Sequence, residues 1–382
     1  MRKHALSKAR RLLGIGFGGG LAAVVLVLAA APALAGGQGG GPEFLKGNII
    51  RLDGQNTAFA VRMDQAGAQA RRSGGGSYFT AYIFESRHRV HYGRNDGSGQ
   101  GFSVAAKNAR IRVDEKNRIR QGTSIDSEDE PAPAVLLALR DPGKGDGFVD
   151  LTLLDPEQAY EVEGLPVYWL GRATADESLD FLDKAYAATE DEQARKSLHF
   201  AVSSHLGPRP VDILKKASLG PGPAKVRESA VFWLGNIGDA RSFAALKDVY
   251  GREKEGSVKK QVVFALQLSK QKEALEELIR IAKHESDADL RKNAIFWLGQ
   301  KASTETVKAL TDIVGSSAEE DPIKDQAVFA ISQLPKERSV PLLIDIARKN
   351  KTASIRKKAI FWLGQSGDPA ALAFFEEILL KK

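Results

Sequence analysis

Beyond residue 35 the chain has five histidines, at 88, 91, 199, 205 and 284, and they are the first candidates for chemistry. His88 and His91 sit three apart in a predicted strand, where alternation sends them to opposite faces. His199 and His205 are six apart, a poor spacing for two ligands on one helix. His284 has a single acidic neighbour, Glu285. The chain has no cysteine, which excludes thiol nucleophiles, thiolate metal sites and disulfides. No phosphate-cradling Gly-x-x-x-x-Gly-Lys loop and no Gly-x-Ser-x-Gly elbow occurs. Carboxylates are plentiful but scattered, so a two-carboxylate hydrolase cannot be argued from them. The expectation is a protein without catalytic residues, metal or cofactor.

Charge is more patterned. Arg195, Arg227, Lys259, Arg291, Lys324 and Arg356 form a regular basic column. One position further lie Lys196, Glu228, Lys260, Lys292, Asp325 and Lys357. The first column, represented by Arg195, Arg227, Arg291 and Arg356, is expected to be structural, pairing with acids or carbonyls nearby. In the second, Lys196, Lys260, Lys292 and Lys357, together with Asn236, Gln300, Gln333 and Gln365, make a polar, mildly basic helix face. That pattern fits a solvated surface, and also one that holds a peptide. The formal charge of +7 does not signal nucleic acid. Five of the cations (Arg2, Lys3, Lys8, Arg10, Arg11) lie in the first 35 residues, which contain no acid, and without them +2 remains.

These columns belong to a repeat. Tyr168, Phe200, Phe232, Phe264, Phe296, Phe329 and Phe361 recur at intervals of 32, 32, 32, 32, 33 and 32 residues. Around each, the sequence reads apolar, basic, two variable, small or apolar, apolar, aromatic, as in Val226 to Phe232 and Ile355 to Phe361. Val226, Ala230, Trp233, Leu234 and Ile237 trace an amphipathic helix. Apolar residues 11, 14 and 17 positions after the aromatic, such as Leu275, Leu278 and Ile281, trace a second. Neither helix can bury its stripe alone, so about seven pairs must stack. Trp169, Trp233, Trp297 and Trp362 occur in every second copy, with Ala201, Ala265 and Ala330 at the same slot between them. The sequence unit is therefore a pair of repeats. The stripe places the indoles in the core, each filling space that a neighbour's alanine leaves. The phenylalanines fall outside the local core stripe and are expected to pack between repeats, the alternative being a semi-exposed aromatic row.

The runs of apolar-Arg/Lys, Ala-x-x-x-Leu-Gly and Gly-Asp, clearest at Gly238-Asp239 and Gly367-Asp368, resemble the HEAT repeat family, in particular its phycobilisome-lyase type. The resemblance covers residues 165–382. It implies a right-handed superhelix whose aromatic-bearing helices line the concave side, and an adaptor role rather than a defined chemistry. Deoxyhypusine hydroxylases of this family bind iron through repeated His-Glu pairs. His284-Glu285 stands alone here, so that activity is not implied. The first copy departs from the pattern with Glu163, Gly164 and Pro166, as an atypical terminal repeat does.

Residues 43–164 read as a small β-rich domain, a sandwich or open barrel, with strands near 57–63, 78–91, 109–113, 134–140 and 148–154. An acidic loop at 126–130 is closed by Pro131 and Pro133. Residues 1–35 carry a basic start, an apolar run and the small-residue site Ala33-Leu34-Ala35. They read as a signal peptide cleaved after Ala35 and followed by a Gly-rich linker, 36–42, the alternative being an uncleaved anchor, since 24 uncharged residues can span a bilayer. The fold class expected is α+β, multidomain, with an all-α solenoid behind the β-rich domain. The function expected is an exported adaptor, periplasmic or secreted, that binds a protein or peptide, with no membrane span after cleavage. A lyase acting on a bound chromophore or protein is the alternative from another class. A third is an envelope protein that self-associates through its apolar C-terminal helix.

Overall fold

The computed structural model describes residues 42–54, 56–87, 110–113, 131–143, 148–157 and 160–380. The expected signal segment, His88, His91 and the acidic loop lie outside them.

The N-terminal part contains β1 (Leu45–Arg51), α1 (Phe59–Arg72), β2 (Tyr78–Ser86), β3 (Arg110–Val113), β4 (Ala132–Arg140), β5 (Phe148–Leu154) and β6 (Tyr160–Arg172). The strands form one six-stranded mixed sheet in the order β1-β6-β2-β4-β5, with β3 also paired to β6. This replaces the sandwich or barrel expected from the sequence. β6 runs parallel to both β1 and β2, while β2–β4 and β4–β5 are antiparallel. β2 is apolar on both faces, as a central strand must be. Tyr78, Tyr82 and Phe84 join one core and Phe79, Ala81 and Ile83 another. The expected strand at 57–63 is instead the start of α1. Its buried residues Phe59, Ala66 and Ala70 recur at helical spacing, and they pack on the sheet.

Thirteen helices follow among the described residues. α2 (Ala175–Ala188) stands alone. Six pairs then stack, each with a first helix A and a second helix B. The A helices are α3 (Glu192–Ser203), α5 (Ala224–Ile237), α7 (Gly256–Leu268), α9 (Ala288–Gly299), α11 (Asp321–Ser332) and α13 (Ala353–Ser366). The B helices are α4 (Arg209–Leu219), α6 (Ala240–Arg252), α8 (Lys272–His284), α10 (Thr304–Gly315), α12 (Lys336–Lys349) and α14 (Pro369–Leu380). The Gly-Asp signature has a local cause. Gly238 ends α5 in the left-handed conformation, φ 66°, where a side chain would be strained. Asp239 then caps α6 by accepting the Ser242 N–H at 2.7 Å.

The first repeat departs most from expectation. Tyr168 and Trp169 lie on β6, not on a helix, and the expected boundary at residue 165 falls inside this strand. A proline and a glycine in the stretch oppose a helix, and two parallel partners supply the backbone bonds that a helix would have made internally. α2 is what remains of this copy. Its Leu179, Leu182 and Ala185, 11, 14 and 17 residues after Tyr168, are buried as the pattern requires. One apolar core runs unbroken from the sheet face carrying Tyr82 to Phe374 in α14. The sheet therefore occupies the place of the missing A helix.

Candidate functional site

Three of the six members of the basic column end on the same feature. Arg195 and Arg291 donate through Nε to the carbonyls of Thr189 (2.8 Å) and Ala282 (3.3 Å), and Arg356 through Nη1 to those of Asn350 (2.8 Å) and Lys351 (3.0 Å). Each carbonyl lies at or near the C-terminal end of the preceding helix, where carbonyls lack helical partners and the dipole favours a cation. Arg227 and Arg291 also bind Glu253 and Glu319, which follow the B helices of their own repeats. Burial alone would raise the Glu253 carboxyl. The backbone N–H groups of Glu255 and Lys254, together with Arg227, hold it below its usual value. Lys259 sits 5.0 Å over the Tyr250 ring, and Lys324 is buried.

The aromatics form a chain of rings along the A helices. Phe200 contacts Trp233 (5.0 Å between centroids), which contacts Phe232 (5.0 Å), which stacks on Phe264 (6.1 Å). The series continues through Trp297 (4.8 Å), Phe296 (4.9 Å), Phe329 (6.4 Å), Trp362 (5.2 Å) and Phe361 (5.0 Å). The phenylalanines pack between repeats as expected. The indoles do not enter the core as expected. Trp233, Trp297 and Trp362 are half-buried wedges lying against it.

The reason is a two-repeat packing unit. A Cβ on Gly235 would stand 2.7 Å from Ala265 Cβ, and one on Gly299 would stand 2.9 Å from Ala330 O. The glycine two residues after Trp233 and the one two residues after Trp297 thus let their helices press onto the alanine of the next repeat. Within such a dyad (α5 with α7, α9 with α11) the phenylalanine rings lie nearly parallel, at 7° and 12°. Between dyads the gap is wider, and an indole fills it. Trp169 has no such role. On β6 it is buried, and its indole donates to Asp53 Oδ2 at 3.1 Å.

Two polar rows flank the rings, each one helical turn away. On the N-terminal side are Lys196, Glu228, Lys260, Lys292, Asp325 and Lys357. Lys260 reaches Asp289 at 3.7 Å, and Lys196 helps to lower the Glu228 carboxyl, behind burial, which raises it, and Lys225 and Ser257, which lower it. Lys292 and Lys357 have no carboxylate within 4 Å among the described residues. On the C-terminal side, Asn236, Gln300, Gln333 and Gln365 are all exposed. The Asn236 amide donates to Phe232 O (2.9 Å) and that of Gln333 to Ser332 Oγ (3.1 Å). The eight candidate residues therefore do share one face. The opposite, B-helix side is laced by exposed ion pairs between successive repeats: Arg209–Asp180 (2.6 Å), Arg241–Asp212 (2.9 Å) and Lys283–Asp312 (2.7 Å).

One cluster escaped the sequence reading. His205 lies just past α3, stacked 4.2 Å from Phe84. Its Nδ1 lies 2.8 Å from Ala201 O, which can only accept, so Nδ1 carries the proton. Nε2 then accepts from Ser178 Oγ (2.7 Å), which accepts in turn from Tyr82 (2.8 Å). All three residues are fully buried, so the chain of bonds ties the sheet to α2 and α3 rather than facing a substrate. Burial lowers His205 to about 4, and burial with the Arg195 charge lowers His199 to about 4. Spacing counted along one helix could not reveal the cluster, because Tyr82 arrives from β2. Among the described residues no three of His, Asp and Glu are grouped as metal ligands, and no helix is long and apolar enough to cross a membrane.

This is the architecture of a helical-repeat solenoid with a sheet at its N-terminal end. The family model described as HEAT repeats matches residues 211–295 and 275–351, and this part of the chain is a run of HEAT repeats. No curated protein matches the chain. Among solved structures, human deoxyhypusine hydroxylase in complex with glycerol is similar at 20% identity, over 53% of this chain and 78% of that one, with a TM-score of 0.25. The CpcE–CpcF complex of phycocyanin lyase from Nostoc sp. PCC7120 is similar at 16% identity over 53% and 80%, with a TM-score of 0.32. Kap121p bound to Pho4p is similar at 15% identity over 52% and 22%, with a TM-score of 0.34. No activity or partner is carried over from likenesses this distant.

Proposed function

We propose that the chain is an exported, non-enzymatic scaffold that holds a segment of another protein along the aromatic row of its A helices. The observation that carries this reading is the row itself. Nine rings in unbroken contact cross six repeats, only partly covered by their own helices and bordered by exposed amides on one side and by lysines on the other. A solenoid needs alternating apolar contacts to stack, but it does not need large rings left at its surface. The B-helix side, by contrast, is occupied by its own ion pairs.

A photo-reactive benzoylphenylalanine at Gln300 or Gln333 is expected to cross-link a specific protein in the native host, whereas the same group at Lys247 on the B-helix side is not. Cross-links of equal yield from both sides, or none from the A-helix side, would refute the assignment. Export rests on the sequence of residues 1–35 and predicts a mature N-terminus at Gly36. Recovery of intact Met1 from a cytosolic fraction would remove that part of the reading.

A further inference from the structure

The rows on the A helices also constrain what lies across them. We infer that the occupant is an acidic, proline-rich segment in the polyproline II conformation, an inference that rests on the aromatic row being the binding face. Residues four apart on a helix lie one above the other on the same side. The lysine row, the ring row and the amide row therefore run side by side, each crossing the helices, and a ligand following them meets one A helix after another.

Packed helix axes are about 8–10 Å apart, and this step selects among backbone conformations. An α-helix rising 1.5 Å per residue advances roughly six residues per step, which turns its contact face well away from the row. A β-strand advances about three residues per step, and an odd number reverses its face at every layer. A polyproline II helix has three residues per turn and rises about 3.1 Å per residue, so it advances about 9.3 Å per turn. It alone presents the same side at each successive repeat, with every third residue over a ring.

The chemistry of the three rows fits that backbone. Polyproline II makes no internal hydrogen bonds, so its carbonyls require outside donors. The amides of Asn236, Gln300, Gln333 and Gln365 stand exposed along one border, one turn of helix from Phe232, Phe296, Phe329 and Phe361. Proline rings pack on aromatic faces, and a stiff segment loses little entropy on docking. The sign of the ligand charge follows from the other border. Lys196 and Lys260 lie near Glu228 and Asp289, which leaves Lys292 and Lys357 as the cations of this row with no carboxylate within 4 Å among the described residues. They are two repeats apart, about six residues of polyproline II, and Asp325 in the row between them is held by Lys358 at 3.5 Å, so an acidic residue at every sixth position meets both.

The test uses the purified protein and three synthetic peptides of about 15 residues: repeated Pro-Ala-Glu, repeated Pro-Ala-Lys, and a scrambled Pro/Ala/Glu peptide without the triplet period. Trp233, Trp297 and Trp362 in the row serve as fluorescent reporters, with calorimetry as a second readout. The Pro-Ala-Glu peptide is expected to bind at least tenfold more tightly than either other peptide, and Lys292→Glu with Lys357→Glu is expected to remove that preference. Gln300→Ala with Gln365→Ala, at two exposed positions that do not hold the fold together, is expected to weaken the same peptide severalfold. Equal affinities for the acidic and basic peptides overturn the charge assignment, and equal affinities for the ordered and scrambled peptides overturn the conformation. If no peptide binds while A-helix cross-links to a host protein persist, this inference fails and the scaffold reading stands. If the cross-links are also missing, both fail.

Discussion

Replacing Gly235 by alanine isolates the dyad packing in a single methyl group. Alanine is the better helix former by about 1 kcal/mol, so on an open helix surface the change stabilises. At Gly235 the new Cβ would stand 2.7 Å from Ala265 Cβ, 2.8 Å from its Cα and 3.1 Å from its O. None of these atoms can rotate away, so α5 and α7 must separate by several tenths of an ångström to about 1 Å. Overpacking of this kind costs about 1–3 kcal/mol. The net effect is a loss of roughly 0–2 kcal/mol after the propensity gain. Gly364, at the same slot in α13, has nothing within 4 Å of its would-be Cβ, so the same substitution there gains up to about 1 kcal/mol. Gly299 falls between them, with contacts of 2.9 to 3.0 Å. Urea midpoints followed by helical circular dichroism should rank Gly364→Ala above wild type, then Gly299→Ala, then Gly235→Ala. Equal midpoints for Gly235→Ala and Gly364→Ala would refute the close-approach argument.

Three further outcomes follow from the same contacts. The unfolded chain protonates His199 and His205 near 6.5 and the folded chain only near 4, so their contribution is complete above pH 6.5 and falls away as pH drops toward 4, by about 3 kcal/mol each. Stability measured from pH 7 to 4 should show this slope and a His199→Phe, His205→Gln variant should lose most of it; an unchanged slope would count against buried neutral imidazoles. Arg227→Met strands the buried Glu253 carboxylate and should cost about 1–3 kcal/mol, while the Arg227→Met, Glu253→Gln double variant recovers part of that loss, so strict additivity would argue against the pair. In a Trp233→Phe, Trp297→Phe, Trp362→Phe variant the remaining indole, Trp169, should resist acrylamide, whereas the half-buried indoles of the wild-type chain are quenched; an accessible Trp169 would contradict its place in β6.

The solenoid was legible in the sequence because its period is carried by many residues at once. Six copies of Phe, a small residue and an apolar pair in phase leave one solution, stacked helices, and Val226, Ala230 and Leu234 are buried where the stripe put them. The first copy misled because Tyr168, Trp169, Leu170 and Gly171 match the helical signature residue for residue. What diverts them is pairing with β1 and β2 from more than 80 residues earlier, a long-range competition that a local period does not register. α1 reads as a strand from its short β-forming start at Thr57, whereas the alanines that follow carry the helix. The alternation of tryptophan and alanine was visible, but not its meaning. The stripe angle of Trp233 points toward the core, and only the spacing between α5 and the helices beside it shows that the indole stops at the rim. The Tyr82–Ser178–His205 chain was invisible for the same reason as β6, since its members come from three elements.

The dyad also governs how such an array can lengthen or shorten. Excising one repeat, for instance residues 256–287, would bring α5 against α9 and set the Gly235 notch over Trp297, an indole where a methyl group fits. Excising two, residues 240–303, would join α5 to α11, and Gly235 would meet Ala330 in the contact that Gly299 makes now. Gain or loss of repeats in this array is therefore expected to be tolerated in steps of about 64 residues and resisted in steps of 32.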